Sequence, residues 1–182
     1  MLDALEIYNA VEKCAAMAPG RDVFEIIKNQ GIILLESTAL DNLLGFYSVV
    51  IGRKVIILNS KLSETQKKEV AAHEFGHAWL HGETFAGELS NEYFSLNSSE
   101  SEYEANAFAA HLLITDAELR EYGENYGYSV WDIAKIKGIN VNFVLIKLRE
   151  MNRMGCAYNI PYIPEAKFLG GELPSGDGTV SA

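Results

Sequence analysis

The chain has 182 residues, and 25 acidic against 15 basic side chains give it a formal net charge of −10, a length and composition typical of one soluble globular domain with at most a small appendage. No apolar run approaches the roughly 18 residues of a membrane span, and the first residues lack the basic stretch of a secretory signal. An acidic chain is a poor general binder of nucleic acid, so we expect no direct nucleic-acid contact. Together with the lack of a span and of a signal, the two widely separated cysteines, Cys14 and Cys156, are typical of free thiols in a reducing compartment, so we expect a cytoplasmic protein without membrane contact.

Apolar periodicity and turn residues predict two helices followed by a small sheet. The helices cover residues 2–17 and 22–29, and Pro19-Gly20 separates them. Three runs rich in β-branched and aromatic residues come next, and they predict an antiparallel sheet with a tight hairpin at Gly52-Arg53. The predicted strands are residues 32–35, 44–51 and 55–58.

The rest of the chain is predicted to be mainly helical. A capping box at Ser63 opens a helix that runs to about His81, and a second capping box at Thr115 opens a short helix to residue 122. A loop over residues 82–99 and three further helices complete this part, and the final dozen residues are expected to be mobile. These three helices cover residues 100–114, 129–137 and 140–154.

Three of the four histidines lie close together in the predicted helix that begins after Ser63. Two of them form the HExxH pattern His73-Glu74-Phe75-Gly76-His77. Positions i and i+4 share one helix face, so both imidazoles can reach a single Zn²⁺. Glu74 is rotated to the flank, where it can deprotonate water instead of binding the metal. The alternative is that the histidines merely cap the helix or form hydrogen bonds. The apolar neighbours favour the metal site, because a buried helix does not direct such groups inward without compensation.

A third ligand is expected on a later helix, because a catalytic zinc keeps three protein ligands and one open position. The extension His-x-x-Gly-x-x-His is absent after His77, so a carboxylate from the acidic segment 100–104 is the candidate. Glu102 shares a face of small residues with Asn106, and such a face can approach the motif helix closely. We favour Glu102 as the ligand, with Glu104 as the alternative and Asn106 as the residue that orients a histidine.

Three other residues each allow two interpretations. His111 can stabilise the oxyanion of a tetrahedral intermediate, and the competing interpretation is a histidine in the core or at its edge. Tyr47 can donate to the same oxyanion, although it is one of nine tyrosines. His81 lies one turn after His77 on the same helix face, where it can support a metal ligand from behind. The favoured interpretation is a residue of the helix C-terminus, where the dipole favours a histidine.

Three sequence elements occur in an order that is more specific than the HExxH pattern alone. They are the strand over residues 55–60, the run Ala72-His73-Glu74-Phe75-Gly76-His77-Ala78-Trp79-Leu80-His81, and the pattern Glu102-x-x-Ala105-Asn106-x-Phe108-Ala109-Ala110. Over residues 43–154 this order resembles the ImmA/IrrE family of metallopeptidases. The resemblance implies His73, His77 and Glu102 as zinc ligands and Glu74 as the general base. The second motif ends Leu113-Ile114-Thr115-Asp116, where family members often have Leu-Leu-Met-Pro, and this departure leaves the ligands untouched.

The fold implied is α+β, with a gluzincin-like core, a small antiparallel sheet beside the HExxH helix and a helix-turn-helix-like segment at the C-terminus. We divide the chain into a metallopeptidase domain over residues 1–122, a helical segment over 123–155 packed on it, and a partly flexible tail over 156–182. The helical segment is only mildly basic, so a packing role is favoured over DNA contact.

The resemblance also implies a cellular role. Family members are cytoplasmic, are often encoded on phages and mobile elements, and several act as anti-repressors that cleave a helix-turn-helix repressor. The predicted function is therefore a zinc-dependent endopeptidase that cleaves a specific intracellular protein, with residues 45–50 as the sheet edge that binds the substrate strand. The alternative is a regulatory module that keeps the metal site and binds a repressor stoichiometrically without cleaving it.

Overall fold

The computed structural model describes residues 1–82, 99–164 and 168–169. Most of the predicted loop over residues 82–99 and the final dozen residues therefore lie outside the described residues. The described elements are α1 (Ala4–Ala15), a 3₁₀ turn (Pro19–Arg21), α2 (Val23–Asn29), β1 (Ile33–Ser37), β2 (Gly45–Val50), β3 (Arg53–Asn59), α3 (Glu64–Leu80), α4 (Ser99–Leu113), α5 (Asp116–Arg120), a π-helical turn (Glu121–Asn125), α6 (Val130–Lys137) and α7 (Val141–Arg153). None of the described helices is long and apolar enough to cross a membrane.

Side-chain caps begin the helices where the sequence predicted them. The Ser63 hydroxyl accepts a hydrogen bond from the Gln66 amide, and the Gln66 side chain accepts one from the Ser63 amide, so two otherwise unpaired donors at the start of α3 are satisfied. Thr115 and Glu118 form the same reciprocal pair at α5. Both predicted capping boxes are thereby confirmed, and they fix the first residue of each helix.

The sheet is mixed, so the prediction of an antiparallel sheet is wrong for its first strand. The strand order is β1-β3-β2, with β1 parallel and β2 antiparallel to β3. After β1 the chain crosses to the far edge to form β2 and returns through the hairpin to the centre. Residue patterns predict strands but carry little information about which strand lies next to which, and this is why the parallel pair was missed.

The hairpin turn lies one residue earlier than predicted. Ile51 and Gly52 occupy it, with φ of 50° and 71°, and positive φ at both central positions matches the twist of a hairpin. Ile51 is 97 % exposed at the tip. The turn places β2 at one edge of the sheet, antiparallel to β3 along its whole length.

Helix α3 lies between the sheet and α4, and α1 and α7 pack on α4 in turn. This layering buries α3 and α4 on most of their surface, although neither sequence shows a narrow apolar stripe. Helix α7 also enters the core, with eight of its thirteen residues buried, as a packing role requires. The helix-turn-helix character of α6 and α7 stays a prediction from the resemblance.

Candidate metal centre

The two motif histidines extend from α3 into the interface with α4. His73 and His77 are 4 % and 6 % exposed, while Glu74 beside them is only half-buried. Because the sheet covers one side of α3 and α4 covers another, histidines one turn apart on this helix are removed from water together. The predicted helical placement of the motif is confirmed by the bounds of α3.

Close contact between α3 and α4 depends on Gly76, the fourth residue of the motif. A Cβ atom at this position would lie 2.9 Å from the Ala105 carbonyl oxygen and 3.0 Å from the Ala105 Cα. Both atoms belong to the backbone of α4, so only a residue without a side chain allows the two helices to approach this far. The approach brings the face of α4 that carries Ala105 and its neighbour Asn106 against the histidines.

Glu102 completes a group of three potential ligands at this interface. Its Oε2 atom lies 3.4 Å from His73 Nε2, and its Oε1 atom lies 3.3 Å from His77 Nε2. The two Nε2 atoms are 3.1 Å apart. Among the described residues, His73, His77 and Glu102 form the group of histidine, cysteine and carboxylate side chains that could hold a metal ion, and all three are buried.

These separations fit a tetrahedral metal site. Ligands at 2.0–2.1 Å from a tetrahedral Zn²⁺ lie about 3.3–3.4 Å from one another, which the measured spacing matches within a few tenths of an ångström. Two imidazoles and one carboxylate are also a donor set that leaves a fourth position open, as catalytic zinc sites do. The group therefore fits a metal ion in geometry and in ligand chemistry.

Asn106 sets the orientation of one of the histidines. Its Oδ1 atom lies 2.8 Å from His73 Nδ1, and both residues are buried. An amide oxygen can only accept, so Nδ1 carries the proton and Nε2 is left as the atom directed at His77 and Glu102. The contact places Asn106 against His73, and its role in orienting a metal ligand stays a prediction.

The electrostatics of the group are those of a histidine–carboxylate cluster in a dry site. Burial opposes charge on His73, but the Glu102 hydrogen bond and the charges of Glu74 and Glu102 outweigh it and raise the pKa of His73. Burial also favours the neutral form of Glu102, and hydrogen bonds from His73 and His77 reverse this and hold the pKa of its carboxyl well below the usual range. The carboxylate is therefore ionised and available as a ligand.

The alternative ligand Glu104 has different partners. Its Oε2 atom accepts a hydrogen bond from His81 Nε2 at 2.8 Å, and its Oε1 atom accepts one from the Leu2 amide at 2.5 Å. Glu104 is as buried as Glu102, but it faces the end of α3 and not the two motif histidines. The His81–Glu104 pair is a second polar contact between α3 and α4, and neither interpretation of His81 from the sequence predicted it.

The structure does not bring His111 to the group of potential ligands. It lies on α4 about 13 Å along the helix axis from Glu102, at 1.5 Å per residue. Its Nδ1 atom accepts from the buried Lys147 ammonium at 2.8 Å, and its ring packs edge-on against Tyr8. Burial, followed by the nearby charges of Lys147 and Arg21, lowers the pKa of His111 to about 2. The interpretation as a core histidine describes this placement, and an oxyanion role for His111 forms no part of our proposal.

Tyr47 lies on β2 and is 4 % exposed. Its hydroxyl oxygen is 3.4 Å from the position a Cβ atom would take at Gly82, just beyond the end of α3. Gly45, two residues earlier on the same strand, sits against Val70 near the middle of α3. Strand β2 therefore runs along the stretch of α3 that carries both motif histidines. A role of Tyr47 in stabilising an oxyanion stays a prediction.

Comparison with known proteins identifies relatives of this chain. The model of the IrrE N-terminal-like domain, peptidase family M78, matches residues 27–149, which include all the residues of the candidate metal centre. The chain is also similar to immunity region protein 2 of Bacillus phage phi105, described as uncharacterized, with 31% identity over 105 residues. That similarity covers 58% of this chain, and the chain spans 65% of the length of the phage protein.

Proposed function

Since the chain belongs to the family of IrrE N-terminal-like peptidases, we propose that it is a zinc-dependent endopeptidase that cleaves a helix-turn-helix transcriptional repressor in the cytoplasm. The observation that carries the proposal is the convergence of His73, His77 and Glu102 within one buried interface. The relative from a phage immunity region supports a substrate connected with repression, and the resemblance to ImmA/IrrE proteins implies the repressor class.

In this proposal each residue of the motif has a separate chemical task. His73, His77 and Glu102 hold the metal, and Asn106 keeps the His73 ring in the tautomer that leaves Nε2 available. Bound zinc would supply a Lewis acid that polarises the scissile carbonyl and makes water a stronger acid. Glu74 takes a proton from the attacking water and returns it to the leaving amine, which its half-buried position beside His73 allows.

The substrate is proposed to bind as an extended strand along β2. This strand is hydrogen-bonded to β3 on one side, and no described strand occupies its other side. The Asn59 amide of β3 donates to the carbonyl of Leu44, the residue opposite it just before β2, which marks these two residues as a hydrogen-bonded pair of the ladder. Because bonded and non-bonded pairs alternate in an antiparallel ladder, Tyr47 and Val49 direct their backbone groups to the open edge.

A proline at Val49 tests the edge strand. Proline removes an amide hydrogen that faces outward and leaves the ladder to β3 intact. We expect Val49→Pro to weaken substrate binding while zinc content and thermal stability stay close to wild type. Unchanged binding by a folded, zinc-loaded Val49→Pro protein would rule out the edge of β2 as the substrate site.

The proposed activity is tested with a helix-turn-helix repressor as substrate, chosen from the reading frames next to this gene. Wild type, Glu74→Gln and the control Glu64→Gln are purified, their zinc content is measured, and each is incubated with the repressor. Glu64 is exposed in the first turn of the same helix and lies outside the candidate metal centre. We expect zinc in all three proteins and cleavage by wild type and Glu64→Gln only. Tight binding without cleavage by any of the three would favour the stoichiometric module instead.

A further inference from the structure

A cavity separate from the candidate metal centre lies between α5, α6 and the chain that follows α7. Its volume is ≈ 430 Å³, and no residue of the His73, His77 and Glu102 group lines it. Aromatic side chains form much of its wall: Tyr128, Trp131, Tyr158 and Tyr162. Trp131 and Tyr162 are 56% and 57% exposed, which is a large exposure for aromatic rings that border one cavity.

The wall of this aromatic cavity is held in place by hydrogen bonds. The side-chain amide of Asn152 on α7 donates to the Tyr158 carbonyl at 2.8 Å and accepts from the Tyr158 amide at 2.7 Å. In another part of the wall, the rings of Trp131 and Tyr162 pack edge to face with centroids 6.1 Å apart. The cavity is therefore preformed, and a ligand would not have to order its walls.

A single carboxylate gives the aromatic cavity its charge. Among the described residues that line it, Glu124 alone is charged, and its Oε1 atom accepts a hydrogen bond from the Tyr158 hydroxyl at 2.8 Å. Nearby charged groups are already engaged: Lys137 pairs with Glu118, and Asp132 caps α6 through Ser129. Arg120 interacts with the phenol of Tyr158 but does not line the cavity.

Aromatic faces combined with one carboxylate select a cation. A purely apolar ligand would remove the Glu124 carboxylate from water without supplying a positive charge to pair with it. An anion would be repelled by the same carboxylate. A guanidinium group stacks on aromatic rings through its flat face and donates to a carboxylate through its edge, which uses both features of this wall. An arginine side chain also has an apolar stem that can pack on the aromatic wall.

We propose that the aromatic cavity binds an arginine side chain presented by a protein partner. The net charge of −10 on the whole chain also favours a basic partner, in agreement with the carboxylate in the cavity. This binding site goes beyond the proposed peptidase function, because it requires neither the metal nor Glu74. A basic repressor would be held there by residues outside the candidate metal centre.

The test uses the two tryptophans of the full-length protein as reporters. The indole N–H signal of Trp131 is followed by ¹⁵N NMR while Nα-acetyl-arginine amide is added, and the neutral isostere Nα-acetyl-citrulline amide is added in a parallel experiment. Trp79, which packs against Phe75 on α3, is the internal reference. We expect a saturable shift of Trp131 with the arginine amide, no saturable shift with the citrulline amide, and a constant Trp79 signal.

Two matched variants separate charge recognition from general apolar binding. Glu124→Gln keeps an acceptor for Tyr158, and we expect it to weaken the affinity for the arginine amide roughly tenfold. Glu121→Gln changes a neighbouring acid that pairs with Tyr126 and does not line the cavity, so its affinity should equal that of wild type. Equal shifts with both amides, no shift at all, or full affinity in Glu124→Gln would overturn the proposal. A Trp131 shift that depends only on protein concentration would assign the cavity to a second copy and overturn it also.

Discussion

The Oδ1 atom of Asn106 lies 2.8 Å from the Nδ1 atom of His73, in a contact buried between α3 and α4. The residues are 33 positions apart in the chain, so the contact exists only when the two helices are packed. It decides which nitrogen of His73 is directed at His77 and Glu102. The tautomer of His73, a potential ligand of the candidate metal centre, is therefore coupled to the packing of the fold.

Replacement of Asn106 by alanine should weaken zinc binding by roughly 10- to 100-fold, because His73 loses the acceptor that orients its ring. The measurement is a competition titration with a zinc chelator of known affinity. Asn106→Asp keeps an acceptor at the same atom and should retain an affinity at or above that of wild type. Equal affinities for wild type and Asn106→Ala would mean that the contact does not orient the ligand.

The choice between Glu102 and Glu104 predicts opposite effects on zinc content. Glu102→Ala should lose bound zinc during dialysis, since its carboxylate is the one within 3.4 Å of the histidines. Glu104→Ala should keep stoichiometric zinc and lose stability instead, because it leaves His81 without its carboxylate partner. Metal analysis by mass spectrometry and thermal unfolding measure the two effects. Retained zinc in Glu102→Ala would reverse the assignment of the ligand.

Gly76→Ala should damage the metal centre although alanine is the better helix former. The new Cβ would lie 2.9 Å from the Ala105 carbonyl oxygen, so α4 must move away from α3. Overpacking of this kind costs about 1–3 kcal/mol, which exceeds the gain of about 1 kcal/mol in helix propensity. We expect a lower melting temperature and weaker zinc binding.

The matched control for this substitution is Gly123→Ala, because a Cβ atom at Gly123 meets nothing within 4 Å. It should leave zinc affinity unchanged and stability equal or slightly higher. If Gly76→Ala behaved like Gly123→Ala in both measurements, the close approach of the helices would not be what positions Glu102.

The lowered pKa of His111 predicts that the folded protein loses stability in mild acid. Its pKa in the folded protein, about 2, lies below its ordinary value of 6.5, so the unfolded chain takes up a proton that the native protein does not. Stability therefore falls as the pH drops from 6.5 toward 2, by up to about 1.4 kcal/mol per pH unit from this group. Besides Lys147, the charged groups near His111 are Arg21, which donates to its carbonyl, and Asp116, which accepts from Lys147.

Urea unfolding of wild type and His111→Asn at pH 5 and pH 6.5, both in chelator, isolates this contribution. Asparagine keeps an acceptor for Lys147 but cannot titrate, and the other titrating groups are the same in both proteins. We expect the free energy of unfolding to fall more steeply with decreasing pH in wild type than in the variant. Parallel pH dependences would show that His111 is protonated in the native protein or does not contribute.

Local chemistry made much of this fold predictable. The capping boxes at Ser63 and Thr115 begin their helices at the expected residues, and the spacing of His73 and His77 placed both on one face of α3. The shared face of Glu102 and Asn106 also follows from helix geometry, and the packing of α3 on α4 brings both to the histidines. Such features depend on neighbours a few residues apart, and residue patterns express them directly.

Contacts between distant parts of the chain were not predictable in the same way. The parallel pairing of β1 with β3 depends on a choice of partner that the strand sequences do not express. Lys147 was counted among the basic residues of a mildly basic segment, yet it is fully buried beside His111. The aromatic cavity combines residues from α6 with residues that follow α7, and only the folded chain assembles it.

The ligands of the candidate centre come from two helices, and this divides the site between two parts of the chain. A metal ion held between α3 and α4 would bind the native state and not the unfolded chain, so its binding energy would become folding energy, about 2.7 kcal/mol when free zinc is a hundredfold above the dissociation constant. Scarcity of the metal would then shorten the lifetime of the protein as well as stop its chemistry. Abundance of this protein in the cell would follow the zinc supply, even at a constant rate of synthesis.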